Sequence, residues 1–267
     1  DHGLECGMAY QQACVQSWQA LGANVVAVNI MEELPWAQEM FPGVGLIPAP
    51  DDSRAHNQGR PLPYIHDLVR AAGVQAETRF CGLINSDIFL KDFEPLWPSL
   101  QARMVGGLLV CRRMEMSWPS FQTHRFYPFG FDMFLMDRRV GASLPESKFA
   151  VGIPWWDFWL PLMAYLRGFN LYRVDVPVAY HLQHAARWDE AQFIEYGAQL
   201  VECLRVEAQA TLSNPTLAIR GQFILDGLQM IDDAAECDIR ELKYTSGLSK
   251  YLEWFFDKGP AVRGISE

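Results

Sequence analysis

The sequence predicts an α/β fold, and three observations carry that expectation. A helical run closed by Gly22 leads straight into a β-branched apolar stretch at 24–30 (NVVAVNI), suited to a buried parallel strand. Further apolar stretches at 80–90, 105–112, 130–137 and 170–180 supply more strands, separated by segments long enough for helices. From Asp189 onward the chain changes character and reads as amphipathic helices only. The expected organisation is one α/β domain at 1–188 with a helical C-terminal extension at 189–267 packed on it, a size that 267 residues permit.

The elements follow in order. Residues 8–21 form the first helix and 24–30 the first strand. The segment 34–63 is rich in Pro, Gly, Asp and Asn, so it reads as a long irregular loop crossing a ligand cleft. A helix at 63–73 closed by glycine precedes the strand 80–90, which Asn85-Ser86-Asp87 interrupts, placing those polar groups at a strand end. Strands at 105–112 and 130–137 follow, the latter alternating enough to keep one face on the core. The aromatic stretch holding Met114, Met116, Trp118, Phe121, Phe126, Tyr127 and Phe129 reads either as an acceptor-binding loop or as core or lid. A helix at 152–167 starts near Pro154 and carries Trp155, Trp156, Phe158 and Trp159 around its circumference, so it must be buried on several sides. The strand 170–180 runs directly into His181-Leu182-Gln183-His184. Helices at 189–212, 215–236 and 249–257 complete the reading, with Asp232, Asp233 and Glu236 as a solvated face.

Composition narrows the function classes. A formal charge of -10 repels polyanions and argues against a general grip on nucleic acid, while a divalent cation would let a small phosphorylated ligand approach. Six scattered cysteines form neither a metal motif nor a secreted disulfide framework, so reduced, structural thiols are expected. No apolar run reaches the roughly 18 to 20 residues of a membrane span, and the first residues do not read as a signal peptide. A cytoplasmic protein is expected.

Ligands of α/β folds sit beyond the carboxyl ends of strands, so polar residues that punctuate apolar strand ends are the first candidates. Asp87 is costly in an apolar strand unless it meets a cation or hydrogen-bond donors; it reads as a metal ligand or as a cap of a neighbouring turn. Asp157 stands among tryptophans that would raise its pKa, which suits a general base, and it equally suits the dipole of a helix N-terminus. His181 and His184, with Arg187 beyond them, would close a metal-diphosphate site or are simply polar residues at a strand exit.

Taken in order, these residues resemble the GT-A type of nucleotide-sugar-dependent glycosyltransferase. The likeness lies in layout over roughly residues 8–188: Gln11, Gln12, Ser17 and Trp18 on the first helix, Val28-Asn29 at a strand end, Asn85-Ser86-Asp87, Gly130-Phe131-Asp132, the run from Gly152 to Asp157, and His181 to His184. The resemblance implies a GT-A (Rossmann-like), mostly parallel sheet flanked by helices. It implies that Asn85-Ser86-Asp87 takes the place of the family's Asp-x-Asp motif, with Asp87 holding Mn2+ or Mg2+. His181 or His184 would complete the metal shell, with His184 preferred, and Asp157 would be the catalytic base. Asn29, Glu32 or Glu33, Asn85, Ser86 and Arg187 would meet the donor, and Asp132, Trp155 and Trp156 the sugar or acceptor. Two departures stand out: residues 1–10 do not read as the family's opening strand, and the first acid of the motif is replaced by Asn85.

The expected activity is metal-assisted, inverting transfer of a sugar from a nucleotide-diphosphate donor to a glycan or other hydroxyl acceptor, with the C-terminal helices offering a homodimer face. Two rivals are a non-catalytic, transferase-like module that binds a glycan or nucleotide, and a metal-dependent phosphohydrolase using Asp87, Asp157 and the two histidines. The second lacks the dense His/Asp clusters usual for such hydrolases.

Overall fold

The structure, a computed structural model, describes residues 4–120, 122–182 and 188–266. Helix α1 (Leu4–Ala20) leads to β1 (Val26–Asn29), α2 (Leu34–Met40), β2 (Gly45–Pro48) and α3 (Ile65–Gln75). Then come β3 (Phe80–Ile84), β4 (Ile88–Leu90), α4 (Trp97–Met104), β5 (Gly107–Ser117), β6 (Gln122–Phe126) and β7 (Met133–Asp137). Helices α5 (Arg139–Ser143) and α6 (Trp156–Leu166) precede the long strand β8 (Asn170–Leu182). Helices α7 (Glu190–Thr211), α8 (Ala218–Ala235) and α9 (Leu242–Asp257) are followed by a last strand, β9 (Val262–Ile265).

The main sheet has seven strands in the order β3-β7-β5-β8-β4, with β6 added to β5 and β9 to β8. Its pairings β3–β7, β5–β7, β5–β6 and β4–β8 are antiparallel, and β5–β8 and β8–β9 are parallel. The sheet is therefore mixed, which corrects the expected mostly parallel, Rossmann-like GT-A sheet. The reason is visible along β5 and β7. Leu108, Val110, Phe134 and Met136 enter one core, while Leu109, Cys111, Met133 and Leu135 enter the other. Helices cover both faces, so every position is apolar whichever way the neighbouring strands run, and continuous apolar runs do not report direction.

One core lies between the sheet and α3, α5, α6 and the C-terminal helices; the other holds Tyr10, Cys14 and Trp18 of α1 with Leu100 and Met104 of α4. Helix α7 starts at a capping box, in which Asp189 Oδ1 accepts from Gln192 N at 2.9 Å and Gln192 Oε1 accepts from Asp189 N at 3.4 Å.

The segment expected as an irregular loop contains α2 and β2, the latter pairing in parallel with β1 to form a separate two-stranded sheet. Proline misled that expectation: it lies in the first turn of both α2 and the unexpected α4, where a missing N–H costs nothing. Beyond α9 the chain is not purely helical, because β9 returns to the main sheet. Among the described residues no helix is long and apolar enough to cross a membrane.

Candidate functional site

Three neighbouring strands assemble the site. Ile88 at the start of β4 stands opposite His181 of β8, and His181 stands opposite Glu115 of β5. Asp87, one residue before β4, thereby comes within reach of the imidazole. His181 Nε2 lies 3.3 Å from Asp87 Oδ2, and its Nδ1 lies 3.3 Å from Glu115 Oε2. The ring is 3% exposed. Burial works against its charge, but the two carboxylates outweigh that effect and hold its pKa at about 9.

Arg113 precedes Glu115 by two residues on the same strand, and the two side chains meet. Its Nε donates to Glu115 Oε1 at 2.8 Å and its guanidinium to Asp132 Oδ2 at 2.6 Å. The guanidinium also lies 4.0 Å from the centre of the Tyr127 ring. Burial would raise the Glu115 pKa, yet hydrogen bonds from His181 and Arg113 leave it below the usual range. Asp132, just before β7, is held from the other side by Asn85, whose Nδ2 donates to Asp132 Oδ1 at 2.6 Å. The backbone repeats this link, Asn85 N donating to Asp132 O at 2.9 Å. Burial raises the Asp132 carboxyl despite the adjacent arginine.

Asp157 enters from the first turn of α6, and its Oδ2 accepts from Phe131 N at 3.0 Å. The side chain keeps partial solvent exposure. Dense surroundings, followed by the nearby Asp132 charge, push its carboxyl up to about 7. The approach of loop and helix requires glycine at 130, where φ is +86° and a Cβ would stand 2.0 Å from Asp157 Oδ2. Among the described residues the cluster gathers carboxyl groups from Asp87, Glu115, Asp132 and Asp157 around Arg113 and His181.

Of the residues expected from sequence, Asp87, His181, Asn85, Asp132 and Asp157 meet in this cluster, and Ser86 is exposed in the turn between Asn85 and Asp87. His184 and Arg187 lie outside the described residues. Asn29 ends β1 and Glu32 follows it; Asn29 Nδ2 donates to Glu33 Oε2 at 3.1 Å and Glu32 pairs with Arg54 at 2.9 Å. Among the described residues no hydrogen bond or ion pair joins them to the cluster. The sugar platform expected of Trp155 and Trp156 is corrected: they are 3% and 5% exposed. Trp155 donates from Nε1 to Phe193 O at 2.7 Å, and Trp156 packs on Phe134, so both wedge the start of α6 into the core.

Arg113 and Glu115 were not anticipated, and Tyr127 only as one member of an aromatic stretch that read as acceptor-binding loop, core or lid. The signal was present in Arg113-Met114-Glu115-Met116, where charged and apolar residues alternate at strand period just past a buried strand.

Asp87 and His181 would share an ion only after the imidazole gives up its proton; two ligands each about 2.1 Å from a metal and roughly at right angles lie about 3 Å apart. Among the described residues no group of three or more His, Cys, Asp and Glu side chains is arranged to hold a metal. Asp87 and His181 alone would leave the remaining positions of an octahedral ion to substrate phosphate and water. A surface hollow of about 470 Å3 along α7, lined in part by Ala191, Glu195 and Arg240, contains none of the cluster's residues.

No protein-family model matches the chain, and no curated protein matches it. Among solved structures it is similar to HddC from Yersinia pseudotuberculosis complexed with GMP-PN, at 7% identity and a TM-score of 0.36, over 66% of this chain and 76% of that one. Another structure of HddC from Yersinia pseudotuberculosis matches at 8% identity and a TM-score of 0.33, over 51% of this chain and 66% of that one. Identity this low leaves the chemistry to be argued from the residues themselves.

Proposed function

We propose that this chain is a glycosyltransferase that moves a sugar from a nucleotide-diphosphate donor to an acceptor hydroxyl, with Mn2+ or Mg2+ held by Asp87 and His181. The observation that carries the reading is the convergence of Asp87 and His181 at 3.3 Å, in a carboxylate-rich cluster bordered by a partly exposed Asp157. When bound, the metal would offset the charge of the leaving diphosphate.

The chain's own residues take distinct parts. Glu115 orients His181 through Nδ1, leaving Nε2 directed at Asp87. Arg113 and Asn85 fix Asp132 beside the base. Asp157 accepts the proton of the acceptor hydroxyl, and a carboxyl at about 7 is matched to that task near neutral pH. A base of this kind on the acceptor side supports direct displacement with inversion.

The test is calorimetric titration of the chain with UDP and with GDP, each with and without Mn2+, on the wild type and on Asp87→Ala. Metal-dependent binding of either nucleotide that Asp87→Ala abolishes is expected. Absence of binding under every condition would remove the donor site from the reading. Binding without turnover of any nucleotide sugar would favour the non-catalytic module.

A further inference from the structure

With Trp155 and Trp156 in the core, the aromatic surface of the site lies elsewhere. The segment between β6 and β7 carries Tyr127, Phe129, Gly130 and Phe131 past the cluster. Tyr127 is fixed twice, by its backbone N–H donating to Arg113 O at 2.9 Å and by its ring beneath the Arg113 guanidinium. Phe131 is fixed by its N–H on Asp157 and by a fully packed ring, 2% exposed. Between these anchors Phe129 is 50% exposed. Its ring meets Tyr127 edge-on, with centroids 5.9 Å apart. It is also the immediate neighbour of Gly130, whose backbone lies against the Asp157 carboxylate.

We infer that Phe129, backed by Tyr127, is the platform for the apolar face of a pyranose ring in the acceptor, placing a hydroxyl of that ring toward Asp157. This rests on the transferase reading for the role of the ring, but not for the contact itself. A single exposed aromatic is ordinary at a protein surface; what distinguishes Phe129 is its place on the loop that meets Asp157. Here the backbone on both sides is held, so the ring is presented on a rigid support. The occupant must combine a C–H surface for the ring with hydroxyls for the carboxylate one residue away, and a pyranose offers both within one molecule. By comparison, Trp36 is 48% exposed on α2, and its ring contact is with Phe41.

The experiment is saturation-transfer-difference NMR on the metal-free, nucleotide-free chain with methyl β-galactoside, methyl β-glucoside and methyl α-mannoside. Transfer confined to the ring C–H protons of at least one glycoside is expected. It should fall several-fold in Phe129→Ala, persist in Phe129→Tyr and be unchanged in Trp36→Ala. Equal transfer to wild type and Phe129→Ala, or none to wild type from any glycoside, would overturn the inference. Nucleotide titration of Phe129→Ala separates the two readings. Retained nucleotide binding with lost glycoside binding supports the platform, and joint loss with unfolding-free spectra overturns it as an acceptor-specific feature. Glycoside binding at Phe129 without any nucleotide binding would sustain the platform while removing the transferase.

Discussion

At the scale of the residue, Asp157, the base of the proposed reaction, also sets a stability cost. Its carboxyl rises from 3.8 to about 7 on folding, with burial the main cause and Asp132 next. A raised acid pKa means that the folded state holds the proton more tightly. Its contribution is complete below the unfolded pKa and is lost as pH climbs from about 4 through about 7. Three units correspond to about 4 kcal/mol, and partial exposure of the group reduces that to an expected ~2 kcal/mol. Asp157→Asn keeps an acceptor for Phe131 N but cannot ionise. Urea unfolding should show it gaining about 2 kcal/mol on wild type between pH 4 and pH 8. On the proposed transferase reading, the same variant should abolish the rise in transfer rate through pH 7. A pH-independent stability difference would mean that the carboxyl is not raised. Asp157 and Asp87 were legible in the sequence because a lone acid in apolar surroundings is conspicuous. Arg113 and Glu115 were hidden by their neighbours, since Met114, Met116 and Trp118 made the stretch read as loop or lid rather than as the continuation of a strand.

At the scale of elements, joints between strands and helices explain what sequence could and could not reveal. Most strands were legible because two helical layers make them continuously apolar. Strand direction was not, for the same reason, and α2 and α4 were masked by prolines that in fact open them. The joint at the end of β7 was not legible at all. There Asp137, with a side chain 0% exposed, accepts from Arg79 Nε at 3.0 Å, from Arg139 Nε at 2.9 Å and from Gly106 N at 3.1 Å. These partners lie before β3, at the start of α5 and before β5, so one carboxylate ties three elements to the end of a fourth. The Arg139 hydrogen bond is the leading cause that holds its pKa well below the usual carboxylate range, against the effect of burial. A depressed acid pKa stabilises the fold above the unfolded value of about 4, and the benefit is lost as pH falls through the folded one. Asp137→Asn is expected to cost about 3 kcal/mol at pH 7, read from the urea midpoint. Because this variant has no carboxylate to protonate, its deficit should shrink at pH 3. A cost under about 1 kcal/mol at pH 7 would show that the two exposed arginines contribute little here.

At the scale of the whole molecule, β8 is the axis on which site and fold depend together. One edge pairs with β5 along most of its length, and the opposite edge is shared by two strands in succession. β4 covers 179–181 beside the site, and β9 covers 171–174. β9 arrives from the far end of the chain, after three helices that pack into the same core as α6, so it couples the C-terminal region to the sheet. Its Ile265 is 2% exposed in the core that also holds Tyr10 and Trp18, and Val262 packs against the other. Deleting residues 259–267 would strip a four-residue ladder from β8 and remove one fully buried isoleucine, whose burial alone contributes about 2 kcal/mol. The freed edge would also be open to pairing with another chain. The expected result is a loss of about 3 to 5 kcal/mol in urea unfolding, with concentration-dependent association in sedimentation. Because β4 covers the other half of that edge independently, the nucleotide binding proposed above, measured well below the unfolding midpoint, should stay within a few-fold of wild type. An unchanged midpoint would show that β9 merely lies on the sheet; lost affinity in a still-folded protein would show instead that order at the Asp87–His181 end of β8 depends on the strand bound at its other end.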